Sequence, residues 1–242
     1  MPHGLPDWGL AGPKETTYGL DDLGEHAVRL GSPHLWDRRG DVLELTDFRE
    51  GLGSWEPWLG GVGAAVQLWT GHSRTGAYSV LCITGSTAGM FGGLVNHLPY
   101  PVLSRWGFEF SFSVGAATRF WEVGINWETP ATIWHSEIRL NFLLGSLQYW
   151  NGAWQTFAPC GPLIGGLNPR HTFKFVVDAT LAQPEYVRAI LNDLTHPMAG
   201  MLVNNAGAGG FPVLTVYVRH VTNVASNDEA YLDNLIVTQN EP

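Results

Sequence analysis

The sequence is poor in positive charge, and lysine is almost missing from it. Lys14 and Lys174 are its only lysines, and 13 Lys and Arg side chains stand against 22 of Asp and Glu, which gives a formal net charge of −9. The basic residues form no cluster. Because a phosphate backbone is bound mainly through Lys and Arg, we do not expect a nucleic-acid partner.

Long apolar runs and cysteines are scarce as well. No run approaches the roughly 20 apolar residues that a membrane-spanning helix needs. The N-terminus also lacks the charged-then-apolar layout of a signal peptide, so we expect a soluble protein with no membrane partner. The two cysteines, Cys82 and Cys160, allow one disulfide, but two free and partly buried thiols are the favoured interpretation.

Apolar and turn-forming residues are plentiful. Of 242 residues, 45% are hydrophobic and only 14% are charged, and the chain has 30 Gly, 15 Pro and 11 Trp. This composition is typical of many short strands joined by turns. The length suffices for one large sandwich domain with its own core.

A central block, residues 105–150, alternates between large apolar and polar residues. Such a period of two predicts strands with one buried and one wet face. We expect three long strands and a short fourth to form one antiparallel sheet, with residues 115–118 as the turn between the first two. The polar outer face of this sheet would carry Glu109, Glu122, Glu128, His135, Glu137 and Arg139.

The rest of the chain predicts two parts. Residues 1–41 are expected to form an N-terminal arm, in which Leu20, Leu23, Ala27 and Leu30 recur at helical spacing and predict one short helix over residues 19–30. Residues 42–242 are expected to form a single domain of roughly a dozen strands. The fold class predicted is therefore all-β, an antiparallel jelly-roll β-sandwich with a short helical arm. Because the arm helix is too short to be stable alone, we expect the arm to mediate docking or oligomerisation.

The outer face of the central sheet is the first candidate site. Glu122, His135, Glu137 and Arg139 are candidate ligand-binding residues, although such a face is ordinarily just solvated and would tolerate alanine within about 0.5 kcal/mol. Glu122 and Glu128 are six residues apart, about 20 Å along a strand, which is too far for glycoside hydrolysis. Glu122 and Glu137 on neighbouring strands would be closer. The sequence shows no catalytic motif with a supporting spacing, and we expect a protein without catalysis.

Two tryptophans form a second candidate. Trp55 and Trp58 flank Glu56-Pro57, and an aromatic ring offers a flat surface on which a sugar can stack. A tryptophan beside a proline can instead close the end of a sandwich core, and this structural interpretation is the favoured one.

Three segments resemble the jelly-roll sandwich of carbohydrate-binding modules and concanavalin A-like lectin domains. They are residues 45–51 with Trp55 shortly after, residues 73–80, and residues 230–237, so that the resemblance covers about residues 42–238. It implies glycan binding and a structural calcium ion held by Asp47, Glu50 and Asp233, since hard oxygen ligands suit Ca²⁺. Arg49 departs from the usual pattern and could replace the metal as the partner of these carboxylates.

The arm resembles the opening of virion-associated proteins of tailed bacteriophages, on residues 18–32 and 36–40. This resemblance implies a non-catalytic structural or adhesion protein, a head decoration or tail-surface component, assembled in the host cytoplasm and located on the virion. Its partners would be other virion proteins or further copies of itself in a homo-oligomer, and a cell-surface glycan. The alternatives are a free, extracellular carbohydrate-binding module or lectin and, less favoured, a concanavalin A-like glycoside hydrolase.

Overall fold

The computed structural model describes residues 40–74, 77–99, 102–115, 118–161, 163–222 and 227–242. All the secondary-structure elements assigned within these segments are β-strands. Residues 1–39 of the predicted arm, which include its predicted helix, lie outside the described residues, so both stay predictions; Asp41, the last residue of the predicted arm, already belongs to a strand. Among the described segments, no helical stretch has the length and apolar character that a bilayer crossing requires.

The strands are numbered along the chain. They are β1 (Asp41–Thr46), β2 (Glu56–Gly60), β3 (Ala65–Trp69), β4 (Ser79–Ile83), β5 (Phe91–Leu98), β6 (Arg105–Val114), β7 (Thr118–Glu128), β8 (Ile133–Asn141), β9 (Ser146–Trp150), β10 (Trp154–Pro159), β11 (Gly166–Asp178), β12 (Glu185–Leu191), β13 (Leu194–Leu202), β14 (Asn204–Gly207), β15 (Val213–Thr222) and β16 (Glu229–Gln239).

These strands form two antiparallel sheets that pack face to face. Sheet A has the order β13-β12-β11-β6-β16-β4-β3, and β1 adds to β16. Sheet B has the order β10-β9-β8-β7-β15-β5-β2, and β14 adds to β8. The predicted all-β antiparallel sandwich is confirmed.

The core lies between the sheets and is rich in aromatic rings. Phe108, Phe110 and Phe112 on β6 are fully buried, and the ring of Phe110 lies 6.0 Å from that of Trp121 on β7. Burial of each such side chain stabilises the fold by about 1.5–3 kcal/mol. The alternation predicted from the central block therefore reports correctly which side chains face inward.

The prediction that the central block forms one sheet was wrong in one respect. β6 belongs to sheet A, where β11 and β16 flank it, whereas β7, β8 and β9 are consecutive strands of sheet B. The link after Gly115 therefore crosses from one sheet to the other instead of closing a hairpin. Glu109 lies on the outer face of sheet A for this reason, and not beside Glu122.

Other local predictions can be compared directly. The Asn151-Gly152 pair predicts a tight turn, and β9 and β10 do form a hairpin there, in which Gly152 takes a φ of +99°, a conformation that favours glycine. Cys82 and Cys160 are free and buried, and burial raises the pKa of the Cys160 thiol to about 12. Strands β13 and β14 were not predicted, because β13 carries Pro197 and Gly200 and shows little alternation.

Candidate functional site

Three neighbouring strands of sheet B bring together a row of charged side chains on the outer face. The register places Arg219 of β15 opposite Glu122 of β7, and Glu122 opposite Arg139 of β8. Arg139 Nε donates to Glu122 Oε1 at 2.8 Å, and Arg219 Nε donates to Glu122 Oε2 at 2.6 Å. The Glu122 side chain is only 1% exposed. We call these three residues the arginine row.

Each arginine of this row also packs against aromatic rings. The guanidinium carbon of Arg219 lies 4.7 Å from the ring centroids of both Trp58 and Phe91. That of Arg139 lies 3.9 Å from Trp154 and 4.2 Å from Phe120. Such contacts hold the guanidinium planes in place. Because Glu122 neutralises only one of the two cations, the row keeps a net positive charge.

A second row of side chains lies on the same face, two residues further along the same three strands. Here Tyr217 of β15 is opposite Gly124 of β7, and Gly124 is opposite Glu137 of β8. A Cβ atom on Gly124 would lie 2.4 Å from the Tyr217 ring. The phenol therefore extends over the glycine and forms a side-chain hydrogen bond with Glu137.

The environment of this second row changes the acidity of both groups. Burial raises the pKa of Glu137, and this effect outweighs the hydrogen bond from Tyr217, which lowers it. Burial also raises the pKa of Tyr217 well above its ordinary value, so the phenol stays neutral and keeps its proton. Glu137 is thus a carboxyl group that gains and releases a proton closer to neutral pH than an ordinary glutamate does.

His135 lies beside Glu137 and is open to solvent. Its Nδ1 is 3.9 Å from Glu137 Oε1, and the two side chains are 37% and 15% exposed. Further along the face, His97 Nδ1 lies 3.0 Å from Thr215 Oγ1. A ligand on this face can reach Glu137 and His135, and the exposed edges of both arginines of the arginine row.

Hydrolysis by a pair of carboxylates does not fit this site. Glu122 and Glu137 are diagonal neighbours on adjacent strands, which places their Cα atoms about 7–8 Å apart. The distance alone would suit a glycosidase. Glu122, however, is buried, and each of its carboxylate oxygens accepts from an arginine, so neither is open to a substrate. Proton transfer at this site therefore falls to Glu137 and its neighbours.

Several predicted site residues meet here and one does not. Trp58, Glu122, His135, Glu137 and Arg139 all lie on this face, although Glu122 contacts the arginines and is closed to a ligand. Trp55 is 2% exposed and stacks on the core ring of Phe108 at 5.8 Å, so it closes the core and cannot bind a sugar.

Sequence patterns missed other members of the site, namely Tyr217, Arg219, Trp154, Phe91, Phe120 and Gly124. The alternation of β15 did carry a signal, because it places Thr215, Tyr217 and Arg219 on one polar face. What it could not show is which strand lies next to β15.

The expected calcium site does not form from the predicted ligands. Asp47 Oδ2 lies 2.7 Å from Arg49 Nε, and Glu50 is exposed. Asp233 is buried, and its two oxygens accept from the backbone N–H groups of Arg74 and Asn234. Within the described residues, no group of three His, Cys, Asp or Glu side chains could hold a metal. Asp47 is thus held by Arg49, and Asp233 by backbone amides.

The chain is similar in fold to several solved structures. An endo-β-1,4-glucuronan lyase from Trichoderma reesei aligns over 82% of this chain and 96% of its own, with a TM-score of 0.60 and 9% identity. The alginate lyase vAL-1 from a Chlorella virus aligns over 82% of this chain and all of its own, with a TM-score of 0.51 and 12% identity. A family 16 carbohydrate-binding module aligns less closely, over 82% of this chain and all of its own (TM-score 0.42, 12% identity). No protein-family model and no curated protein matches the chain.

The likenesses to the two lyases show the two-sheet sandwich fold and nothing finer. They also correct one expectation. A protein without catalysis was expected because the polar face of the sandwich carried no recognised catalytic motif. Two of the similar structures are lyases, so this fold does not exclude an enzyme.

Proposed function

We propose that the outer face of sheet B binds an acidic polysaccharide and that the chain cleaves it by β-elimination at a uronate residue. The observation that carries this proposal is the largely buried Glu137 carboxyl group, whose pKa is raised by burial, beside the more exposed His135 and the positively charged arginine row. A base, a proton donor and a cation for a carboxylate are the three groups that this reaction needs.

The chemistry assigns one task to each group. A base removes the C5 proton of the uronate, and the electron pair left behind is stabilised by the neighbouring carboxylate. The C4–O bond then breaks, a C4=C5 double bond forms, and the leaving oxygen takes up a proton. A cation that binds the carboxylate stabilises the negative charge that grows on it during this step.

The geometry distributes these tasks over the second row and the arginine row. Ionised Glu137 accepts the C5 proton, and protonated His135 donates a proton to the leaving oxygen. Arg139, whose side chain is 19% exposed, presents its outer edge to the uronate carboxylate. Tyr217 donates to Glu137 and holds its carboxyl group in place. Activity should therefore fall at low pH as Glu137, whose pKa is raised by burial, becomes protonated.

Two further observations support the acidic substrate. The arginine row keeps a net positive charge on a chain whose formal net charge is −9. The fold is also shared with a glucuronan lyase and an alginate lyase, and these names indicate which polyuronates to test first.

The test compares polyuronates with a neutral polysaccharide. We expect the purified chain to release unsaturated products from glucuronan or alginate, seen as a rise in ultraviolet absorbance, and none from xylan. Glu137→Gln should abolish this release but keep binding, whereas Glu229→Gln, an exposed glutamate at the start of β16, should change neither. Binding without release of unsaturated products would refute the elimination and leave only carbohydrate binding.

A location on a virion is a separate proposal. It rests on the resemblance of residues 18–32 and 36–40, of which all but residue 40 lie outside the described residues. A polysaccharide-binding face would serve a particle that attaches to a coated cell, and the arm would then supply the attachment to the particle.

A further inference from the structure

The backbone under Glu137 lies at a break in the edge of β8. On the side of β8 away from β7, strand β9 pairs with residues 138–141, and β14 pairs with residues 133–135. The two partner strands thus meet β8 on either side of residues 136 and 137. The proposed base stands where one partner ends and the next begins.

A tyrosine from the opposite sheet occupies this break. Tyr186 of β12 reaches across the core, and its hydroxyl group accepts the Glu137 N–H at 2.8 Å. The same hydroxyl lies 3.1 Å from the Glu137 carbonyl and 3.0 Å from the Trp150 carbonyl, and it donates to one or the other. It therefore bonds the backbone at the end of β9 as well as that of β8.

Tyr186 is suited to a permanent structural bond. Its side chain is fully buried, and burial raises its pKa far above the range in which a phenol loses its proton in water. Its ring lies 5.5 Å from that of Tyr149 on β9 and is held between the sheets. The hydroxyl group thus remains a neutral donor and acceptor at a fixed place.

We infer that Tyr186 is a positioning residue for Glu137, acting from sheet A through the backbone of β8. This inference rests on the proposed function, in which Glu137 is the base. The Tyr186 bonds set the depth at which the Glu137 carboxyl group sits between His135 and Tyr217. That depth is what buries the carboxyl group and raises its pKa.

Removing only the hydroxyl group tests the inference. Tyr186→Phe should lower kcat about ten- to hundredfold with little change in KM, because a small misplacement of a reacting group is costly while the binding face is untouched. Glu137 should become better solvated, so its pKa should fall, and the acidic limb of the pH profile should move to lower pH. The control is Tyr231→Phe, a buried tyrosine of sheet A, which should leave kcat and the pH profile unchanged.

A second measurement does not depend on activity. The pKa of Glu137 is followed by carbon NMR of its carboxyl group in the parent chain, in Tyr186→Phe and in a variant with 4-aminophenylalanine at residue 186, which restores a donor. An unchanged Glu137 titration and pH profile in Tyr186→Phe, with only a lower melting temperature, would overturn the inference. Should the parent chain cleave no polyuronate, the proposed function fails while the titration still decides the role of Tyr186. If Tyr186→Phe does not fold, the 4-aminophenylalanine variant decides instead: its amino group still donates but accepts the Glu137 N–H only weakly, so a Glu137 titration identical to that of the parent would overturn the inference.

Discussion

Tyr217 and Gly124 are a matched pair at the centre of sheet B. They are direct neighbours on adjacent strands, and the phenol ring takes the space that a side chain at residue 124 would need, with only 2.4 Å between the ring and a Cβ atom placed there. This arrangement is what allows a tyrosine on β15 to reach a glutamate on β8, across the whole width of β7.

Gly124→Ala should therefore displace Tyr217. We expect a loss of about 1–3 kcal/mol in the free energy of unfolding, the usual result of overpacking, together with a lower rate of elimination because Glu137 loses its hydrogen bond. Urea unfolding measures the first and the ultraviolet assay the second. Gly165→Ala is the control, since the nearest atom to its Cβ would be Val114 O at 3.8 Å. An unchanged stability of Gly124→Ala would show that Tyr217 does not depend on this space.

Glu122 should behave as a buried ion and not as a surface residue. Surface tolerance was expected from the sequence, but the side chain is 1% exposed and joins two arginines. Glu122→Ala leaves two guanidinium groups facing each other, and such losses cost about 3–5 kcal/mol. Glu128→Ala on the same strand should stay within about 0.5 kcal/mol. Denaturant unfolding compares the two, and equal values would argue against the arginine row.

The raised pKa of Glu137 should make the free energy of unfolding fall as pH rises. Because burial raises its pKa in the folded state, folding is favoured when the group is protonated, and this contribution is lost as pH rises through the folded-state pKa. Glu137→Gln should thus be more stable than the parent chain at pH 8. The advantage should shrink as pH falls toward about 4.3, the value for an unfolded glutamate. Unfolding free energies measured across this range decide the point, and a gap that widens at low pH would contradict it.

The strands and their inward faces could be predicted, whereas their neighbours could not. Alternation is a property of one strand, so it placed Phe110 and Trp121 in the core and Glu122 and Glu137 outside. Which strands pair depends on contacts made across the whole chain. The assignment of β6 to sheet A, and of Arg219 next to Glu122, therefore needed the three-dimensional structure.

The burial of Glu122 could not be predicted for a related reason. A polar residue on an outward face is expected to be wet, and here long side chains of the neighbouring strands cover it. The role of Tyr186 was equally hidden, because its hydroxyl group acts on a strand of the other sheet. Site residues that act through neighbours leave no pattern in the order of the sequence.

The stability of the folded chain should depend on Asp233 and should not depend on a chelatable metal ion. Asp233 accepts two backbone N–H groups while fully buried, so Asp233→Ala should cost at least about 1–3 kcal/mol. Glu50→Ala, at an exposed position, should be nearly silent. EDTA should leave the melting temperature of the parent chain unchanged. A fall with EDTA that disappears in Asp233→Ala would restore the metal ion.

The arm should be dispensable for folding and required for assembly. The first strand begins at Asp41, which pairs with Gln239 of β16, so the sandwich is anchored from the start of β1 onward. Removal of residues 1–39 should leave the circular dichroism of the strands intact. The apolar residues of the predicted helix, Leu20, Leu23 and Leu30, need a surface to pack against. If another copy supplies that surface, light scattering should show a lower mass for the truncated chain than for the full chain. A truncated chain that unfolds or aggregates would indicate instead that the arm packs on its own domain.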